Sequence, residues 1–264
     1  MQFTSQLLSD SEKERIHADT LKVLETVGVR YYSEKALNLL KTAGARVDYD
    51  EKIVRIPPAL VEHALDAAPK QFTLGARNPQ YDYPLPSPVT RYCMDGTGAF
   101  VQDFHTGEHR YGTDKDNELA LRIFQAMDMG VMAWAPVAAE DKPAHARPLH
   151  EWASLIRFTS KHVQHELHTP EQSPFLAEML IAALGSEDEV KRRRAYSLIY
   201  CPVSPLTHDG PMMDAYFEMG VLGLPIMILP MPVPGTTGPA SLFSNICLAN
   251  AENLSSFVIY QLAH

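Results

Sequence analysis

Cysteine is almost missing: Cys93, Cys201 and Cys247 are the only three in 264 residues, odd in number and far apart. Such spacing offers neither a disulfide framework nor a zinc knuckle. No run approaches the ~20 uninterrupted apolar residues of a membrane-spanning helix. The opening MQFTSQLLSDSEKER carries acids where a secretory leader needs a basic start and an apolar stretch. Together these absences predict a cytoplasmic protein with reduced thiols and no membrane partner. Positive charge is also short, with 23 Lys and Arg against 32 Asp and Glu, a formal net charge of -9. A nucleic-acid surface needs a basic stripe, so none is expected. The one basic cluster, Lys191-Arg192-Arg193-Arg194, follows Glu187, Asp188 and Glu189 and reads as a solvated helix face.

What is present is a rhythm. Short apolar runs at residues 130–136, 162–167, 196–202 and 225–232 are each followed by a stretch patterned for a helix. Their starts lie about 30 residues apart, the length of one strand–helix unit. That repeat predicts parallel strands with crossover helices, and it stops at His264 inside a helical pattern. The expected fold is therefore α/β: a partial TIM-type β/α barrel of about five of the eight strands, preceded by a small α+β N-terminal cap.

The cap is read over residues 1–88 and the incomplete barrel over 89–264. Ser9 and Glu12 have capping-box spacing ahead of a helix that Gly28 stops. A second helix runs from Ser33 to Gly44, and Pro57-Pro58 opens a third. Residues 46–49, 53–56 and 71–75 read as short strands. Residues 78–88 hold four prolines and read as a linker. Residues 89–94 are the expected first barrel strand. A hairpin about His105-Thr106-Gly107 follows, and then a helix capped by Thr113 and carrying Leu119, Leu121, Ile123 and Phe124.

In a parallel barrel the chemistry sits beyond the C-terminal strand ends. That rule selects Asp95 and Thr97 after the first strand, Glu166 and His168 after the third and Ser204 after the fourth as substrate-binding candidates. In His162-Val163-Gln164-His165-Glu166-Leu167-His168, the two-residue strand period puts Gln164, Glu166 and His168 on one face and His165 on the other. Glu166 and His168 have four open readings: binding a cation, moving a proton, two of the three ligands of a metal in a metal-dependent hydrolase, or solvated strand-end residues. The helical metalloprotease spacing is absent.

The order of segments resembles the trimethylamine methyltransferase family. The resemblance rests on Val23-Leu24-Glu25-Thr26-Val27-Gly28-Val29, Val54-Arg55-Ile56-Pro57, Ala76-Arg77-Asn78-Pro79 and Thr106-Gly107-Glu108. It continues in Cys201-Pro202-Val203-Ser204-Pro205-Leu206 and Leu229-Pro230-Met231-Pro232. It implies a β/α barrel that transfers a methyl group from a tertiary or quaternary amine to the cobalt of a corrinoid protein. The cofactor is then supplied by that partner and not bound directly, no metal is held by this chain, and a homo-oligomer is expected. Some relatives use pyrrolysine, and others, acting on glycine betaine, lack it. The chain departs from the family in ending before the barrel closes, so a catalytically incompetent fragment or an assembly subunit is the alternative expectation.

Overall fold

The computed structural model describes residues 6–263. In chain order its first elements are α1 (Asp10–Thr26), β1 (Val29–Tyr31), α2 (Glu34–Thr42), β2 (Arg46–Asp48), β3 (Ile53–Arg55) and α3 (Pro58–Ala67). Five short strands follow: β4 (Phe72–Leu74), β5 (Tyr83–Leu85), β6 (Tyr92–Cys93), β7 (Phe100–Gln102) and β8 (His109–Tyr111). Next come α4 (Asp114–Gln125), β9 (Gly130–Ala133), α5 (Arg147–Phe158), β10 (His162–His165), α6 (Ser173–Leu184), α7 (Glu187–Arg193) and β11 (Tyr196–Tyr200). The described chain then runs through β12 (Thr207–His208), α8 (Gly210–Met219), β13 (Ile226–Ile228) and α9 (Leu242–Ala263).

Packing groups these elements into two compact units. One comprises Met1–Ala68, Cys201–Met213 and Ile228–His264, the other Pro69–Tyr200 and Asp214–Met227. The grouping does not follow the division at residue 88, because the late helix α9 packs on α1, α2 and α3.

In the first unit, the Ser9 hydroxyl accepts the Glu12 amide while the Glu12 carboxylate accepts the Ser9 amide, so both expected halves of the capping box form. Gly28 ends α1 at φ +86°, with the Val54 carbonyl so close that a Cβ would lie 2.7 Å from it. Only glycine suits both demands. The chain then enters β1, a strand the apolar pattern did not reveal. β1 pairs antiparallel with β3 and parallel with β12, giving the order β12-β1-β3-β2. Helix α9 lays Cys247, Leu248, Ala251, Val258 and Ile259 into this core. Around it Tyr31 stacks on His208 with ring centroids 4.4 Å apart. The Tyr31 hydroxyl donates to the Ser255 carbonyl (3.0 Å), and His208 Nε2 meets the Ser255 hydroxyl (2.9 Å).

The second unit is a mixed α/β arrangement around a five-stranded sheet of order β13-β11-β10-β9-β6. The pairs β6–β9, β9–β10 and β10–β11 are all parallel, as the strand–helix rhythm requires. Each strand is shorter than its apolar run, since the last residues of every run continue into a loop. Helices α4 and α5 pack against each other and against β9 and β10 respectively. The C-terminus of α4 is closed by the buried Lys161, whose Nζ donates to the carbonyls of Phe124 (2.8 Å) and Met127 (2.5 Å). A cation suits the negative end of the helix dipole. Burial nevertheless lowers the pKa of this ammonium, against the opposing pull of Asp128.

The proline-rich stretch 78–88 differs from the linker expected. It contains β5, which pairs antiparallel with β4. A two-stranded ribbon tolerates proline because each strand has a free edge. Asp82 anchors the stretch, accepting the Ala76 amide (2.8 Å) and both terminal nitrogens of Arg193 (2.6 and 3.1 Å). Arg193 therefore departs from the solvated face read for its cluster, while Lys191 and Arg192 do pair along the helix with Glu187 and Glu189.

His162 in the second unit and His208 in the first are both fully enclosed, and burial drops their pKa values to about 4 and about 3. The folded protein thus refuses a proton that the unfolded chain accepts near its ordinary pKa of 6.5. Stability is accordingly lost as pH falls from about 6.5, since the unfolded state binds more protons there. For His208 the loss reaches on the order of 2 kcal/mol by about pH 5. Chemical denaturation at a series of pH values is expected to show this acid-side slope, and His208→Gln is expected to flatten it. An unchanged slope in that variant would assign the acid sensitivity elsewhere.

Candidate functional site

Because β6, β9 and β10 run parallel, their carboxyl ends lie on one edge of the sheet. The segments leaving that edge are 94–98, 134–137 and 166–169. The first two continue side by side. The amides of Met94, Thr97 and Gly98 donate to the carbonyls of Met132 (3.0 Å), Ala135 (2.9 Å) and Pro136 (3.0 Å). Thr97 takes a left-handed φ of 54° to make this turn. The Asp95 carboxylate accepts the amide of Gly96 (2.9 Å), and both Asp95 and Thr97 face solvent.

Gly96 lies flat on the indole of Trp134, where a Cβ would stand 2.2 Å from a ring carbon. No larger residue fits there without moving the ring. Trp134 is in turn held from below. Its Nε1–H donates to His165 Nδ1 (3.1 Å), and His165 Nε2 meets Glu151 Oε2 (2.8 Å). The indole can only donate, so Nδ1 must offer its lone pair and the imidazole proton is assigned to Nε2. The other Glu151 oxygen accepts the Ala139 amide (2.8 Å), which ties the same network to the loop after β9. His165 and Glu151 are almost completely buried. Every link of this chain is satisfied, the condition under which a buried polar network adds rigidity.

Glu166 and His168 form a looser pair, with Oε2 and Nε2 3.4 Å apart. His168 is half exposed, while its backbone amide donates to Gln172 Oε1 (2.8 Å). The Glu166 carbonyl is fixed by the Trp152 Nε1–H (3.0 Å). His165 does face the opposite way from Gln164, toward α5, where Trp152 meets its ring edge-on. Gln164 is buried on the other face, beside a pair made by His162 Nε2 and the Ser197 hydroxyl (2.8 Å), and its Oε1 has no hydrogen-bond partner. Among the described residues no three His, Cys, Asp or Glu side chains are grouped to hold a metal ion. Glu166 and His168 thus stand as a pair without a third ligand.

Asp95 and Thr97 are brought together in one loop, and Glu166 and His168 at the next strand but one. Ser204 belongs to the other compact unit. There its hydroxyl donates to Glu252 Oε2 (2.8 Å), and the Leu206 amide donates to Oε1 (2.9 Å). Burial raises the pKa of Glu252, opposed by these two donors. Sequence reasoning passed over Trp134 and Glu151. Nothing local marks Glu151, which sits on a helix 14 residues before its histidine. An aromatic one residue past a strand, with a glycine in the preceding strand's loop, is the only signal that could have drawn attention to Trp134.

A parallel strand–helix sheet with two acids, Thr97 and His168 beyond its carboxyl ends is an α/β layout. The particular family follows from comparison with known proteins. The profile of the trimethylamine methyltransferase (MTTB) family matches residues 2–264, and the chain belongs to that family. It is 33% identical over 254 residues to trimethylamine methyltransferase MttB of Desulfitobacterium hafniense, covering 96% of this chain and 51% of that protein. It is 29% identical over 268 residues to trimethylamine methyltransferase MttB of Methanosarcina thermophila, covering 97% and 54%. Identity is 28% over 257 residues to a glycine betaine methyltransferase of Desulfitobacterium hafniense, covering 97% and 53%. The chain thus spans about half the length of the curated relatives it matches.

Removing the Glu151 carboxylate with Glu151→Ala leaves the Ala139 amide and His165 Nε2–H buried without acceptors. Each orphaned donor costs about 1–3 kcal/mol. Urea unfolding is expected to show a loss of that size or more. The chain contains only two tryptophans, so in a Trp152→Phe background the Trp134 emission is expected to shift to the red as its anchor is lost. A variant that keeps both stability and emission would show that the network does not hold the indole.

Proposed function

We propose that this chain contributes the amine-binding strand ends of a methyltransferase that passes a methyl group from a methylated amine to the cobalt of a corrinoid protein. The observation that carries the reading is the family match along essentially the whole chain. The parallel sheet agrees with a β/α barrel architecture, of which the five strands would form part. Trimethylamine and glycine betaine are the substrate class, taken from the relatives' names.

A quaternary ammonium has charge but no donor, so aromatic faces and carboxylates at a distance hold it. Asp95 and Glu166 are the carboxylates at the strand ends, and Thr97 and His168 stand beside them. Their contribution must stay modest. When the carbon–nitrogen bond breaks, its electron pair returns to nitrogen and the substrate's charge disappears, so strong ground-state binding of the cation would oppose the reaction. Alignment of the methyl carbon with the incoming nucleophile then supplies most of the acceleration. The corrinoid, carried by its own protein, supplies that nucleophile. Asp95, Thr97 and His168 are exposed on the side from which such a carrier would approach. The setting is taken to be the cytoplasm; no helix among the described residues is long and apolar enough to cross a membrane.

A second reading is favoured by the sheet's two outer strands, β6 and β13, which have no further partner in it. Unpaired edges invite pairing with another chain. On this reading the chain is an assembly subunit or an incompetent fragment until a complementary segment adds its strands.

The test combines the purified chain, a reduced corrinoid protein and trimethylamine or glycine betaine, with demethylated amine followed by NMR. A parallel reaction adds the carboxyl-terminal half of a relative. Demethylation is expected, with Asp95→Asn and Glu166→Gln each raising KM by about tenfold, a loss of roughly 1.4 kcal/mol in binding. Activity only after the complementary half is added selects the second reading. No demethylation in either mixture would overturn methyl transfer.

A further inference from the structure

One polar side chain of the five-stranded sheet lies outside the network that holds Trp134. Gln164, within β10, is 1% exposed, and its Oε1 meets no donor. A buried amide oxygen without a partner lowers stability, and such groups are rare enough that each needs a cause. The donors beside it are already committed. On β11 its register partner is Ser197. The Gly75 carbonyl can only accept, so His162 Nδ1 carries its proton toward it (2.7 Å). His162 Nε2 is then an acceptor, and the Ser197 hydroxyl donates to it (2.8 Å). On β9 the last paired residues are Ala133 and Val163, and one residue on the same register sets Trp134 beside Gln164. The Trp134 N–H goes to His165. Neither neighbouring strand therefore gives Oε1 a hydrogen.

Two residues further along the same face stands Glu166, whose side chain is 15% exposed. This column of the sheet thus offers a carboxylate near solvent, an acceptor beneath it and no free donor. A lone water could donate to Oε1, but it would find neither flanking donor free for its own oxygen. A buried water usually makes about three hydrogen bonds. A cation that carries an N–H answers both the charge and the missing hydrogen.

We propose that Gln164 is a specificity-determining residue, its Oε1 accepting the N–H of a protonated tertiary amine while Glu166 balances the charge at the strand end. The class of ion rests on the methyl-transfer reading; the choice between its two kinds of methylated amine goes beyond it. A protonated tertiary amine has one N–H, and a quaternary ion has a fourth carbon in that place. The carbon would press on the oxygen and leave it orphaned, which is how a hydrogen-bonding site rejects an analogue without the donor. Because Gln164 is enclosed, the ion enters past Glu166 and sheds its water, and the low dielectric strengthens the charge-assisted bond. The Gln164 side chain makes no other hydrogen bond among the described residues, so the ligand alone decides which way its amide turns.

The test titrates the purified chain at neutral pH with trimethylammonium chloride and with tetramethylammonium chloride, following the broadening of their methyl proton signals. No turnover is needed. Trimethylammonium is expected to bind about tenfold to a hundredfold more tightly, the factor that a hydrogen bond to a charged group supplies. Gln164→Leu is expected to level the two affinities, and Glu166→Gln to weaken both while keeping their ratio. Loss of fold is checked by urea unfolding, in which Gln164→Leu is expected to keep or raise the midpoint, since an unsatisfied amide is replaced by an apolar group of similar size. Binding of neither ion, or equal binding of both, overturns the proposal. A preference that survives in Gln164→Leu overturns it too, and leaves the oxygen to an ordered water. Methyl transfer fails separately: selective binding with no demethylation beside a reduced corrinoid protein sinks that reading and leaves the role of Gln164 standing.

Discussion

The parallel ladder from β6 through β9 and β10 to β11 is the constraint from which the rest of the second unit follows. Parallel neighbours present their carboxyl ends on one side, and each crossover helix must return the chain to the opposite side before the next strand begins. Asp95 and Glu166 are 71 positions apart in sequence, yet the ladder sets them at the same edge with only β9 between them. The strands themselves are two to five residues long. Their pairing is stabilised by side chains packed between sheet and helices more than by the length of the ladder, with Trp152, Tyr196, Leu155 and Val163 all fully enclosed.

Within that frame the buried Glu151–His165–Trp134 chain converts a flexible loop into a defined surface. A strand end has no ladder partner to orient it, and the residues that follow would otherwise sample many conformations. The indole is pinned by a donor–acceptor sequence in which each group has one role, and Gly96 rests on the pinned ring. The loop bearing Asp95 and Thr97 therefore inherits its position from a carboxylate on helix α5. Lys161 and Arg193 do comparable work elsewhere, one closing the end of α4 and the other holding the proline-rich stretch through Asp82. Buried charge of this sort stabilises little in net terms, but breaking one partner is costly, so it selects a single arrangement.

The proposed methyl transfer and the two outer strands of the sheet would place two demands on the same molecule. Strand ends holding a cationic amine would have to stay open to a large protein-borne nucleophile, and the outer edges of β6 and β13 would need cover. An enclosed acceptor at Gln164 would add a third, because the strand ends would have to part for the ion and close on it.

Much of this was legible beforehand. The spacing of apolar runs predicts the strands, their parallel sense and the helices between them, because those depend on periodicity and on the length needed for a crossover. The capping box at Ser9 and Glu12, the stop at Gly28 and the hairpin at residues 100–111 are local for the same reason, each depending on residues within a few positions. Other features lay outside that reach. The association of α9 with α1, the pairing of β1 with β12 and the withdrawal of Arg193 from solvent all join residues more than a hundred positions apart, while the strand β5 was hidden by the prolines around it. That Asp95, Thr97, Glu166 and His168 follow strands could be read from the pattern. Trp134, Glu151 and the orphaned oxygen of Gln164 could not, since a polar side chain acquires its role from the partners that folding brings to it. The chain's own order of residues thus determined which elements form and which way they run. Only tertiary packing decided which buried groups meet, because hydrogen bonding in the interior is settled by neighbours in space.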